Sequence, residues 1–192
     1  NTTLLRYGLL ENLELRLGME YLGNKVLTKN TDSNNTFSGL GPVYAGFKVK
    51  ITEEDGWKPE IAFIGGLVLP FTADDYFKPD YTAANIRFSL SHSLSDKLSI
   101  GYNLGVEWDG ETAVPEYFYT ISLGIELTDI LGMFVEGYGM LTEEGKSENL
   151  IDAGFTYLVF PNFQLDFSGG LGLSESAVDN FLSFGLTYRF PN

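Results

Sequence analysis

Every second residue from Leu98 to Trp108 is large and apolar: Leu98, Ile100, Tyr102, Leu104, Val106 and Trp108. Between them stand Ser99, Gly101, Asn103, Gly105 and Glu107, all small or polar. A side-chain period of two belongs to a β-strand whose faces meet different surroundings, and a helix cannot accommodate it. The same alternation recurs along the chain and predicts about eleven strands, at 2–10, 12–24, 38–52, 59–71, 81–93, 97–109, 115–127, 130–142, 148–159, 162–174 and 178–190. Each is near the length of a tilted membrane strand. No convincing helix is found between them.

The connections alternate between two kinds. Tight links fall at Leu10-Glu11, Leu94-Ser95-Asp96, Thr128-Asp129 and Phe160-Pro161-Asn162, with a somewhat longer one at TEEDGWKP. More open polar links, NKVLTKNTDSNNTFS, TADDYFKPD, DGETAVP, TEEGKSEN and SESAVD, separate them. Short turns at one end and longer loops at the other give the up-and-down layout of an outer-membrane barrel. The seven prolines are placed at strand ends or in loops, because proline cannot donate to a ladder. Glycines fall mainly on the polar parity (Gly101, Gly105, Gly124, Gly154, Gly170, Gly172 and Gly185), where they relieve crowding in a curved sheet.

Sorting the strands by parity separates two faces. One carries Leu13, Leu15, Leu17, Met19 and Tyr21, then Ile61, Phe63, Leu67 and Leu69, Ile86, Phe88 and Leu90. It continues through Tyr117, Tyr119, Ile121, Leu123 and Ile125, Ile151, Phe155 and Tyr157, Phe163, Leu165 and Phe167, and Leu182, Phe184, Leu186, Tyr188 and Phe190. The other face carries Arg6, Glu14, Arg16, Glu20, Lys48, Lys50, Glu60, Arg87, Asn103, Glu107, Glu116, Glu126, Glu136, Asp152, Gln164, Asp166 and Arg189, spaced by Gly, Ser and Thr.

Alternation alone also fits a soluble sandwich or lipocalin-like barrel with the apolar face inside. A soluble surface carries about 25–35% charged residues. Here Gly, Ser, Thr and Asn dominate the polar parity, and much of the charge lies in loops. The apolar parity also holds more bulk than one closed interior would take. Tyr21, Trp57, Tyr76, Tyr81, Trp108, Tyr117 and Tyr188 cluster near strand ends, as in interfacial girdles. Reversing the parity in a membrane would turn Arg and Lys toward lipid at about 2–4 kcal/mol each near the midplane. The expected fold is therefore all-β, a transmembrane up-and-down antiparallel barrel with the charged face lining its lumen.

Composition bounds the rest. The 192 residues show no compositional break, so a single domain spanning 1–192 is expected. Without cysteine there is neither a disulfide framework nor a thiolate metal site. A formal charge of -14 opposes nucleic-acid binding, which needs clustered Lys and Arg. No apolar run reaches the length of a membrane helix, and NTTLLRYGLL lacks the layout of a signal peptide. If the chain is exported, its signal is expected to lie outside this sequence or to have been removed. Closed β-barrels cross membranes without any helix.

Bacterial barrels have even strand numbers with both termini at the short-turn end. Strand 2–10 runs toward the turn at Glu11 and strand 178–190 ends at the same side. A barrel of about twelve strands follows, its first strand missing from this chain or an open seam standing between 2–10 and 178–190.

The stretches LLRYGLLENLELRLGMEYL, SENLIDAGFTYLVFPNFQLDFSGGLGL and DNFLSFGLTYRF carry the patterns D-A-G-x-T-Y, P-N-x-Q-L-D and G-L-x-Y-R-F. In these the chain resembles, over nearly its whole length, the outer-membrane transporter family named for the meta-pathway of phenol degradation. The resemblance implies a Gram-negative outer-membrane barrel that takes up small, often hydrophobic or aromatic, molecules. It supplies no catalytic or ligand motif, so no binding residue is carried over. On this resemblance the segment that family members place before the Leu4–Tyr7 strand is expected to be missing from this chain.

The charged parity is the one large polar constellation. Basic residues gather on the early strands and the last (Arg6, Arg16, Lys48, Lys50, Arg87, Arg189), and acids on the middle and late ones (Glu107, Glu116, Glu126, Glu136, Asp152, Asp166). Closure would bring Arg189 beside the early set. A positive wall opposite a negative one would orient polar solutes. The plainer reading pairs these charges across a nearly filled interior, where they offset their own desolvation.

The single histidine, His92, falls on the apolar parity near the turn at Leu94–Asp96. An outward His with a Ser would suit a lipid hydrolase, but no nucleophile motif surrounds it and an interfacial His is the commoner case. Asp74, Asp75 and Asp80, with Asp32 from another loop, could hold a divalent cation; lacking the glycine-punctuated spacing of a calcium loop, they are expected to be solvated loop acids. NNT at 34–36 matches a glycosylation sequon that has no role in a bacterial barrel.

The expectation is a non-enzymatic bacterial outer-membrane barrel that passes or binds small solutes, without cofactor, metal or catalytic residues. Its partners are outer-membrane lipid and lipopolysaccharide, a small-molecule solute and, in the rival reading, a larger membrane assembly on which a blocked barrel docks. A lipid-modifying enzyme is the third reading.

Overall fold

The computed structural model describes residues 1–27, 34–142 and 145–190, with backbone alone at 24–27 and 34–35. The alternation becomes twelve strands: β1 (Thr2–Leu10), β2 (Leu13–Leu27), β3 (Asn34–Leu40), β4 (Val43–Thr52), β5 (Glu60–Leu69), β6 (Ala83–Ser95), β7 (Leu98–Trp108), β8 (Glu116–Thr128), β9 (Leu131–Thr142), β10 (Glu148–Phe160), β11 (Phe163–Gly172) and β12 (Asn180–Tyr188). Among the described residues two single turns of 3-10 helix, Pro70–Thr72 and Asp75–Phe77, interrupt them. The sheet runs β1-β2-β4-β5-β6-β7-β8-β9-β10-β11-β12, with β3 paired to β2. This is the order of an up-and-down barrel, with β1 and β12 as its two ends.

Three of the tight links are hairpins of one design. At Leu10↔Leu13, Thr128↔Leu131 and Phe160↔Phe163 the pairing slips by one residue beside the turn, which leaves a two-residue reversal each time. Such a slip next to a short turn adds right-handed twist and fixes register.

One predicted strand is divided. The sequence places a single strand at 38–52, whereas the structure ends β3 at Leu40 and begins β4 at Val43. Pro42 has no N–H to donate, so the ladder cannot run through it. The two pieces still flank β2 in turn, with Tyr21↔Leu40 above the break and Gly18↔Tyr44 below it. Two residues of β2 lie between those pairs and three of the partner chain, so the break is a one-residue bulge.

The backbone groups into two compact units, the first of Asn1–Ile51, Ala62–Arg87 and Glu107–Pro115, the second of Thr52–Ile61, Phe88–Val106 and the chain from Glu116 onward. In both, the apolar parity is the exposed one. On β2 of the first unit Leu15, Leu17, Met19 and Tyr21 are exposed, while Glu14, Arg16 and Glu20 are half-buried and Gly18 is buried. In the second unit Tyr117, Ile121 and Leu123 of β8 and Ile151, Phe155 and Tyr157 of β10 are exposed. Leu182 and Phe184 on β12 reach 72% and 78% exposure. Among the described residues the buried apolar side chains are Ala62, Ile64, Ala83 and Phe118. In each unit the large apolar parity is thus the exposed face and the charged parity the shielded one, the reverse of the distribution in a water-soluble sheet protein.

Candidate functional site

The first unit carries two adjoining open cavities. The lower, of about 350 Å³, is lined by strand residues: Arg16 and Glu20 of β2, Tyr44 of β4, Ile64 and Val68 of β5, and Asn85 and Arg87 of β6 among them. The upper, of about 390 Å³, shares Glu20, Pro42, Val68 and Asn85 with it. It is completed by Phe77 and Pro79 from the β5–β6 loop and by Glu107, Trp108, Asp109 and Glu111 at the β7–β8 loop. A basic lower chamber thus opens beside an acidic, aromatic one.

Tyr44 builds the wall of the lower cavity. Its side chain occupies the space that a Cβ on Gly18, Gly46 or Gly66 would need, so three glycines on neighbouring strands form a slot for one ring. Its hydroxyl lies 3.5 Å from the Gly65 carbonyl. A ring held between strands keeps its rotamer, and that rigidity shapes the chamber.

Charged groups of both signs meet on this wall. Arg16 Nε donates to Glu14 Oε1 at 2.7 Å, with side chains 16% and 28% exposed. Glu14 also stands opposite Lys48 across the β2–β4 ladder. Arg6, however, is the direct cross-strand partner of Arg16, a like-charge pairing that costs stability unless an anion relieves it.

The β5–β6 loop is tied down where the break at Gly41–Pro42 leaves backbone groups to be satisfied. Asp74 Oδ2 accepts the Leu40 N–H at 2.7 Å and Thr72 Oγ1 accepts the Val43 N–H at 2.7 Å. The Asp74 N–H returns to the Leu40 carbonyl at 3.0 Å, and Tyr76 stacks on Phe37 at 4.2 Å. Farther along, the Tyr81 N–H donates to Gly110, whose φ of +82° suits only glycine. In the β7–β8 loop the Asp109 carboxylate accepts the N–H groups of Glu111 and Thr112 at 2.8 and 2.9 Å, which holds it below the usual carboxylate range.

In the second unit Glu136 stands opposite both Asp152 and Ser122. Asp152 Oδ1 is buried without a hydrogen-bond partner. Asn103 Nδ2 donates to Thr120 Oγ1 at 2.5 Å. Phe134 lies where a Cβ on Gly154 would stand, and Phe181 does the same at Gly170. Gly154 and Gly170 are therefore seats for inward rings, whereas Gly185 makes room for the Asp166 carboxylate and Gly124 for the Ser99 hydroxyl.

Of the residues expected to line a lumen, Glu14, Arg16, Glu20, Lys48, Lys50, Glu60, Arg87, Asn103, Glu107, Glu116, Glu136, Asp152 and Asp166 are half-buried. Arg6, Glu126 and Arg189 are exposed. Arg6 is on the end strand β1, Glu126 is near the end of β8, and Arg189 donates to the Pro161 carbonyl beside the β10–β11 turn. The cavities bring together Arg16, Glu20, Arg87 and Glu107 from this set. Sequence reasoning missed Tyr44, Ile64, Val68, Asn85 and the cavity position of Trp108. The glycines aligned on the polar parity were the available signal for an inward ring.

The remaining candidates resolve into local structure. Glu54 accepts the Ser93 N–H at 2.7 Å and the Ser93 hydroxyl at 2.9 Å, and His92 Nδ1 lies 3.8 Å from the same carboxylate. The serine hydroxyl thus points to the carboxylate, and the group clamps the β4–β5 turn to β6. Those two Ser93 bonds hold the Glu54 carboxyl below its usual range. Asp74 is engaged with backbone, Asp75 and Asp80 are exposed, and Asp32 lies outside the described residues.

A family model described as "Putative MetA-pathway of phenol degradation" matches residues 1–190. The chain belongs to this family. No curated protein matches it. The family's description ties the chain to phenol degradation, and the D-A-G-x-T-Y segment acquires a physical meaning in this fold. Asp152, Gly154 and Thr156 stand on the shielded side of β10, with Gly154 seating Phe134, while Phe155 and Tyr157 are exposed.

Proposed function

We propose that this member of the phenol-degradation family is a β-barrel of the Gram-negative outer membrane that passes or binds small solutes, hydrophobic or aromatic ones included. The observation that carries the reading is the exposure of the apolar parity against the shielding of the charged one on the same strands. Hydrocarbon and lipopolysaccharide acyl chains satisfy the first face, and the second becomes the lining of a polar lumen. The adjoining cavities of the first unit give a solute somewhere to reside. The chain works without catalysis, as a conduit or receptor.

Single-channel recording of the refolded protein in planar bilayers tests this reading. Steady conductance is expected, with ion selectivity altered by Glu107→Gln or Arg87→Gln. Electrical silence would overturn passage and favour a structural barrel that docks in a larger membrane assembly. Phospholipid hydrolysis lost on His92→Ala would instead revive an enzyme.

A further inference from the structure

We infer that the lower cavity of the first unit is a binding site for a small aromatic monocarboxylate, a benzoate-like anion; the inference rests on the solute-handling reading above. Two guanidinium groups, Arg16 and Arg87, line one chamber of about 350 Å³ in a protein of formal charge -14. Planar guanidinium forks match a carboxylate better than a point charge does, and Asn85 adds an amide to the same wall. Glu14 engages Arg16 through Nε, which orients the guanidinium, and the terminal amino groups carry the donors suited to a bidentate partner.

The rest of the lining is apolar and fixed. Tyr44 is locked in its glycine slot, and Ile64 and Val68 offer aliphatic surface to a ring. The volume falls at the small end of ligand pockets, which begin near roughly 300 Å³, so a single-ring solute fits and a large one does not. Approach from the upper cavity passes Glu107 and Asp109, and Glu20 belongs to both chambers. Those carboxylates oppose multiply charged anions while the apolar surface of Trp108 and Phe77 favours a ring. A singly charged aromatic acid satisfies both constraints.

Titration calorimetry of the refolded full chain in detergent, with sodium benzoate as probe, tests the site. One saturable site is expected, at least tenfold weaker for benzamide, which keeps the ring and loses the charge, and at least tenfold weaker for the dianion phthalate. Arg87→Gln should weaken benzoate at least tenfold, and Arg87→Lys should recover only part of the loss. Val68→Phe, which fills the chamber without changing charge, should abolish binding, and it decides the matter if Arg87→Gln does not fold. Lys146→Gln on the β9–β10 loop should bind as the unaltered chain does. Equal binding of benzamide, no effect of both Arg87→Gln and Val68→Phe, or no saturable benzoate binding would overturn the site. Bilayer conductance of the same preparation separates the two proposals: conductance without benzoate binding sinks this site alone, and benzoate binding without conductance sinks passage alone.

Discussion

Tyr44 shows why the site was only half legible. The parity rule singled out Arg16, Glu20, Arg87 and Glu107, because a charge among apolar neighbours is visible in one strand. Ile64 and Val68 were hidden since β5 is apolar on both parities, and Tyr44 depends on glycines from three strands whose register no single stretch reveals. Gly66→Val places methyl groups against the locked ring and should cost about 1–3 kcal/mol by overpacking. In a Tyr44→Ala background the same replacement should cost much less, since the two positions share one space. Urea unfolding of both series measures the difference, and equal costs would take Tyr44 out of the slot. Asp109 gives a second prediction. The amides of Thr112 and Glu111 stabilise its charged form, so its folded pKa lies below the ordinary 3.8. Its contribution is complete above that ordinary value and is lost as pH falls through the lowered one. Intrinsic-rate-corrected exchange protection of the Glu111 and Thr112 amides should therefore hold from neutrality to about pH 4 and decline below it. Asp109→Asn should remove the decline, and an unchanged pH profile in that variant would assign the step to another group.

The hairpins were readable at the level of elements because their signals are local. Polar pairs such as Glu11-Asn12 and Pro161-Asn162 interrupt an apolar period, and two-residue reversals follow. The division of 38–52 into β3 and β4 was less visible, although Pro42 supplied the physical reason, because the surrounding alternation carries across it. What the sequence could not show is how the break is compensated. Asp74 and Thr72, more than thirty and nearly thirty residues away along the chain, supply acceptors to Leu40 and Val43 on either side of the bulge. The β5–β6 loop is thus a strap across the β3–β4 break as well as a wall of the upper cavity. Asp74→Ala removes a charged acceptor from a backbone N–H at an exposed position and should cost about 1 kcal/mol. Faster exchange at the Leu40 amide, with the Val43 amide less affected, is the expected signature. Uniform acceleration throughout β3 and β4 would mean that the strap acts on both strands as a whole, and no change at Leu40 would discard it.

The orientation of the whole sheet decides the protein's solvent, and adjacent residues can test it. Ile121 and Ser122 follow one another on β8, the first exposed and the second half-buried opposite Glu136. If lipid covers the apolar parity, a reporter at 121 touches acyl chains and a reporter at 122 touches the polar lining. The chain has two tryptophans, Trp57 and Trp108, so replacing both with Phe leaves a dark background for Ile121→Trp or Ser122→Trp. In vesicles of brominated phosphatidylcholine the 121 reporter should be strongly quenched and the 122 reporter nearly untouched. A soluble sandwich with its apolar face inside would leave both bright, because neither would meet a bromine atom. A reversed barrel would quench 122 instead, and it would also turn Arg16 and Arg87 toward hydrocarbon at about 2–4 kcal/mol each near the midplane. The alternation that fixed the strands is thereby made to report which side of them is wet, and every reading of the cavities depends on that outcome.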